Sequence, residues 1–160
     1  MNTVAIFHIN LNVTDLEAAT AFYHSIGFRT LLEFPDTPGF AEIGLPEILR
    51  VPDDCTAKAR FLILGDDLRA TRLDLIQWTR PATRGRAPDD RTAVGVARIC
   101  LRVRDARAMH DRLCAAGYSP FGPPRIIDMG GTRQRVFCCP DPDGFTVEFM
   151  EFLKDRADEP

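Results

Sequence analysis

The chain has 160 residues, a net charge of −3, 45% apolar and 27% charged residues, a balance expected of a soluble globular protein with room for a sizeable core. A mildly acidic chain argues against nucleic-acid or anionic-membrane partners, and no stretch approaches the roughly 18 apolar residues of a membrane span. Five cysteines, Cys55, Cys100, Cys114, Cys138 and Cys139, are odd in number and form no CxxC pair; with no basic-then-apolar leader pattern at the N-terminus, they predict a reduced, cytoplasmic protein.

The first predicted element is a strand at residues 8–13. Alternation puts Ile9, Leu11 and Val13 on a face that a helix must cover, and His8, Asn10 and Asn12 on the other. A helix follows, with Asp15 as N-cap, or Thr14 with Glu17 as a capping box. Ala19, Phe22, Tyr23 and Ile26 form its apolar stripe and Gly27 stops it. Middle strands are expected at 28–34 and 60–64. Residues 35–58, with Pro35, Pro38, Pro46 and Pro52, read as a loop with one short helical turn. The last strand of this unit turns Leu73 and Leu75 toward the helix and Asp74, Ile76 and Trp78 away from it.

After a proline- and charge-rich linker at 81–93 the pattern recurs. An offset of 90 superposes Leu11-Asn12-Val13-Thr14-Asp15 on Leu101-Arg102-Val103-Arg104-Asp105, and Gly27 on Gly117. Ile99, Leu101 and Val103 go to the helix side, Arg98, Cys100 and Arg102 to the other. Asp105 caps the second helix, whose stripe is Ala106, Met109, Leu113 and Ala116. Strands are expected at 125–128 and 133–139, on which Cys138 and Cys139 face opposite ways; Gly130-Gly131 reads as a turn or bulge. Asp141-Pro142-Asp143-Gly144 turns into the final strand. That strand matches the end of the first copy at an offset of 74, with Val147 and Phe149 inward and Glu148, Met150 and Phe152 on the opposite face. Residues 154–160 form a charged tail. The expectation is an α+β fold within a single domain, 1–160: two tandem βαβββ modules, 4–80 and 94–153. Their sheets make one curved mixed sheet, a cup, with the helices on its outer face.

His8, Asp74, Arg98 and Glu148 thus hold equivalent places in the two copies. Ionisable groups on a half-apolar concave face mark a candidate site; a structural ion-pair cluster, and a merely hydrogen-bonded His8, are the plain alternatives. Ile76, Trp78, Met150 and Phe152 either line the cup or pack as core. Cys100 reads as a small buried thiol, and His24 and His110 as surface histidines.

Phe7-His8-Ile9 before Val13-Thr14-Asp15-Leu16, then Ala21-Phe22-Tyr23-His24-Ser25-Ile26-Gly27-Phe28, and finally Asp141-Pro142-Asp143-Gly144-Phe145-Thr146-Val147-Glu148-Phe149 together resemble the vicinal oxygen chelate superfamily. This is the glyoxalase, bleomycin-resistance and dioxygenase fold, and the resemblance runs from about Val4 to Leu153. It implies a metal-ligand position on the first and last strand of each module: His8, Asp74, Arg98 and Glu148. Arg98 departs from the pattern, because the family has a histidine there and a guanidinium cannot donate a lone pair to a metal. That demotes dioxygenase and fosfomycin-type chemistry. His8, Asp74 and Glu148 are left to hold one divalent ion, iron, zinc, nickel or manganese, or no ion is bound and Arg98 does the electrostatic work.

The resemblance implies a lyase or isomerase, glyoxalase- or epimerase-like, acting on a small carbonyl-bearing molecule through enolate or oxyanion stabilisation. His8, Arg98 and Glu148 would be catalytic. Asn10, Ile76, Trp78, Cys100, Met150 and Phe152 would bind the substrate. The alternative is a metal-free protein of the bleomycin-resistance type that sequesters a small molecule. Unpaired sheet edges, and the habit of the family, add the expectation of a homodimer.

Overall fold

A computed structural model describes residues 2–37 and 39–153. Pro38 and the charged tail at 154–160 lie outside the described residues. The chain divides into two compact units, Met1–Gly85 and Arg86–Pro160.

The first unit runs β1 (His8–Asn12), α1 (Leu16–Ser25), β2 (Phe28–Thr37), α2 (Gly39–Glu42), α3 (Leu45–Leu49), β3 (Thr56–Leu64) and β4 (Arg72–Arg80). Its four strands are ordered β1-β4-β3-β2, with β1 parallel to β4 and the other pairs antiparallel. The second unit repeats this plan with β5 (Arg98–Arg102), α4 (Ala106–Ala115), β6 (Arg125–Met129), β7 (Thr132–Pro140) and β8 (Thr146–Phe152), ordered β5-β8-β7-β6. Each unit is therefore a βαβββ module of an α+β fold. Among the described residues no helix is long and apolar enough to cross a membrane.

Local chemistry starts both long helices in the same way. Asp15 accepts from the backbone N–H groups of Glu17 and Ala18, and Asp105 from those of Arg107 and Ala108. Each aspartate satisfies donors that the first turn leaves without a helical partner. The last strand of each module completes the cap: Gln77 Oε1 accepts from the Leu16 N–H, and Glu151 Oε2 from the Ala106 N–H. These are repeat-equivalent positions, so the duplication extends to single hydrogen bonds. After α1, Gly27 takes φ 103°, a left-handed conformation that glycine adopts without a Cβ clash.

Helix α1 buries Leu16, Ala19, Phe22 and Tyr23 against Leu11, Leu62, Leu73 and Leu75 on one face of its sheet. Arg60 ties β3 to the helix through Glu17 at 2.6 Å and also meets Glu33 and Thr20. In the second module Phe137 stacks on Phe149 at 4.7 Å, with Leu113 and Val147 fully buried.

Three local expectations change. Residues 35–58 are not mainly loop: β2 continues through Pro35 to Thr37, two short helices follow, and β3 begins at Thr56. Pro35 fits because β2 is an edge strand, where a missing N–H costs no ladder bond. On α4 the inward row is Ala106, Met109 and Leu113 with His110 added, and Ala116 is exposed beyond the last turn. His110 is half-buried with its ring edge on Phe137 at 5.4 Å, so it is a packing residue rather than a surface one. Gly130 and Gly131, both at positive φ, form the two-residue hairpin turn between β6 and β7.

Candidate functional site

In each module the sheet face opposite the helix carries the polar residues singled out above. Strand pairing places them side by side. In the first module Asn10 lies beside Asp74, which faces Phe61; Asn12 lies beside Ile76, which faces Ala59; and Trp78 faces Ala57. The Asn10 amide donates to Asp74 Oδ2 at 2.8 Å. The Trp78 indole N–H donates to Asn12 Oδ1 at 2.9 Å, which satisfies the polar end of a half-buried ring. His8 lies next to Phe61, ring centroids 5.6 Å apart, and Phe61 also meets Phe34 edge-on at 5.4 Å. Phe40, from α2, packs on Trp78 at 5.8 Å and on the cluster of Ala57, Ala59 and Ile76. The face is thus an aromatic wall over small alanines, with a polar end at His8, Asn10 and Asp74.

Two atoms at that polar end are buried without a hydrogen-bond partner among the described residues: His8 Nδ1 and Asp74 Oδ1. Burial pushes the Asp74 carboxyl up to about 6, and the charge of His8 and the bond from Asn10 only partly offset this. His8 and Asp74 share an electrostatic environment but no direct hydrogen bond.

In the second module Cys100 and Cys138 flank Glu148 on neighbouring strands. The buried Glu148 carboxylate accepts a hydrogen bond from Arg98 Nε in a tight ion pair. Cys100 is exposed, not buried as expected, because it lies on a short strand at the sheet edge. Its thiol is nonetheless pushed up to about 11, first by desolvation, then by the charge of Glu148 and by donating to that carboxylate, with Arg98 offsetting in part. Such a thiol stays protonated at neutral pH and is a poor nucleophile. Cys138 is half-buried on the Glu148 side while Cys139 is fully buried on the other, and all five cysteines are free. Met150 is half-buried; Phe152 is exposed, with the Arg102 guanidinium 5.0 Å from its ring centre.

Two of the expected metal donors already have partners. Glu148 is engaged by a fixed cation, Asp74 is bonded to Asn10, and among the described residues no three His, Cys, Asp or Glu side chains gather to hold a metal ion. Arg98 itself has no lone pair to offer.

Sequence reading passed over Phe34, Phe40, Ala57, Ala59 and Phe61 on the first face. The period-2 signal was present in Ala57, Ala59 and Phe61, but alanines give it little contrast. His24 is exposed, as expected, with Nε2 3.0 Å from the Thr30 hydroxyl.

No curated protein sequence matches the chain significantly. Solved structures share its fold. A glyoxalase family protein from Bacillus cereus is 19% identical with a TM-score of 0.77, over 96% of this chain and 97% of that one. The trypanothione-dependent glyoxalase I of Leishmania major is 20% identical, TM-score 0.62, over 93% and 87% of the two chains. An antibiotic-binding protein from Streptomyces is 22% identical, TM-score 0.62, over 96% and 99%. A sequence model for a family matches residues 5–149, nearly the whole of both modules. The chain therefore belongs to the Glyoxalase/Bleomycin resistance protein/Dioxygenase superfamily.

Proposed function

We propose that the protein is a lyase- or isomerase-type enzyme that moves a proton on a small carbonyl-bearing molecule. The observation that carries this reading is the pair of unsatisfied buried atoms, His8 Nδ1 and Asp74 Oδ1, at the polar end of an aromatic face. An unpaired buried polar atom costs roughly 1–3 kcal/mol, and two on neighbouring strands are best explained by a ligand that supplies their partners.

In this reading the apolar part of the substrate lies against Phe61, Phe34 and Trp78. The His8 imidazole removes a proton from the carbon next to the carbonyl, and the electron pair of that C–H bond moves into the carbonyl to give an enolate. The Asp74 carboxylate stabilises the imidazolium formed, and the exposed Asn10 amide offers its second N–H to the enolate oxygen. Return of the proton, to the same carbon or its neighbour, completes an isomerisation without an oxidant or reductant. No step is assigned to a metal.

The test is deuterium exchange at the α-carbon of a panel of 2-oxo acids and hydroxyketones, followed by proton NMR in D2O. Exchange above the buffer rate is expected with at least one class, and His8→Ala should reduce it by about 10²–10⁴-fold. Exchange that survives His8→Ala would sink this assignment.

A second reading is sequestration of a small apolar molecule. The aromatic wall of Phe34, Phe61, Phe40 and Trp78 favours it, as does the shared fold with an antibiotic-binding protein. A binder shows no exchange with any member of the panel and loses only modest affinity with His8→Ala.

A further inference from the structure

Arg91 belongs to the stretch that reads as a linker, yet its side chain is held against the second sheet. Its Nε donates to the Thr146 hydroxyl at 3.2 Å, one terminal nitrogen donates to the Asp89 carbonyl at 3.0 Å, and its guanidinium lies 4.3 Å from the ring centre of Phe121. Phe121 is itself fastened by its N–H to the Cys138 carbonyl at 3.0 Å. Thr146 is the register partner of Arg98 on the adjoining strand. At the start of β8, Thr146 thus takes the Arg91 side chain and has Arg98 beside it on the neighbouring strand.

Arg98 spends its Nε on Glu148, while its side chain is 55% exposed against 11% for the glutamate. Its terminal nitrogens bond no other described residue. Both guanidiniums bear on Cys138, whose thiol desolvation and Glu148 raise and whose shift Arg98 and Arg91 oppose. Of the carboxylates near the two guanidiniums, Glu148 pairs with Arg98, while Asp89 meets Arg91 only through its backbone carbonyl. Both forks are also pre-oriented, one by a ring and a hydroxyl, the other by a carboxylate. Such orientation lowers the entropy cost of gripping a second oxyanion.

We propose that Arg91, Arg98 and Thr146 form an oxyanion subsite on the second module that binds a carboxylate or phosphate group. The subsite belongs to the second module alone, and it names a ligand class for that module's polar face: an anion. The planar forks suit the paired oxygens of either group, and the Thr146 hydroxyl has capacity to donate as well as accept.

The experiment is titration of the full chain with inorganic phosphate and, separately, benzoate, following the Arg Nε–H resonances by NMR. Saturable binding in the millimolar range or tighter is expected for at least one anion, with shifts at Arg91 and Arg98. Saturation by phosphate alone or by benzoate alone assigns the group. Arg91→Gln and Arg98→Gln should each weaken binding about ten-fold or more, whereas Arg107→Gln on α4 leaves it unchanged. Should Arg91→Gln not fold, Phe121→Leu removes the ring under the guanidinium and is expected to weaken binding several-fold. Absence of saturation by both anions, or binding indifferent to these variants, overturns the subsite. His8→Ala keeps anion binding. Anion binding without α-carbon exchange therefore removes the proposed chemistry and leaves the subsite, and exchange without anion binding does the reverse.

Discussion

Asp74 is a carboxylate on a face that aromatic rings share, and its proton affinity carries a stability consequence. Burial raises it from an ordinary value near 3.8 to about 6. The folded chain then binds this proton more tightly than the unfolded chain. The contribution to stability is full below about pH 4 and is lost as the pH rises through 6. Asp74→Asn removes that dependence. Relative to the wild type the variant should gain stability as pH rises from 4 to 7, by about 1–2 kcal/mol at pH 7 after discounting for solvent screening. Urea denaturation of both proteins at several pH values measures the difference, and a constant difference would contradict the assignment. Glu148, also buried, is paired with the Arg98 guanidinium instead of an amide.

At the scale of elements, the repeat-equivalent caps are the devices that start the helices. Asp15 satisfies two backbone donors of α1, and Gln77 reaches across from β4 to a third. Asp15→Ala should cost about 1 kcal/mol, and Asp15→Ala with Gln77→Ala should cost more than either change alone; thermal unfolding of the single and double variants checks this. Helix α2 has a different role. Four residues long, it cannot be stable by itself, and it stays in place because Phe40 packs on Trp78 and the Ala57, Ala59 and Ile76 cluster. Its position is tertiary in origin, which is why a proline-rich stretch read as loop contains it. Strand β3 illustrates the opposite case: its alternation was present, but Ala57 and Ala59 are too small to mark a face by hydropathy.

At the scale of the whole molecule, the two units have the same strand order and the same helix-to-sheet arrangement, but they differ in what lies opposite the helix. The first presents rings beside His8 and Asp74, the second arginines around a glutamate. Each has its own core. Phe149→Ala, which removes the Phe137 stack, should cost about 3–5 kcal/mol. It should lower amide protection first in β5, β7 and β8, which hydrogen exchange read by mass spectrometry follows segment by segment. Protection lost equally early in β1, β3 and β4 would contradict that order.

Period-2 and period-3.6 patterns, two aspartate caps and glycines at both helix ends are local signals, and they sufficed for the duplicated βαβββ plan and for the faces of β1, β4, β5 and β8. Arg98, standing where the resemblance expects a histidine, was also legible from residue type alone as a side chain that cannot ligate a metal. Other features depend on contacts between residues far apart in the chain. The Arg98 and Glu148 pair, the placing of Arg91 on Thr146, the unsatisfied atoms of His8 and Asp74, and Phe40 on Trp78 have no period. They arise when strands are paired in a particular register and side chains compete for the same few ångströms of space. Local pattern therefore determined which residues face which way. The tertiary structure decided which of them meet, because partner and distance are properties of packing rather than of sequence spacing.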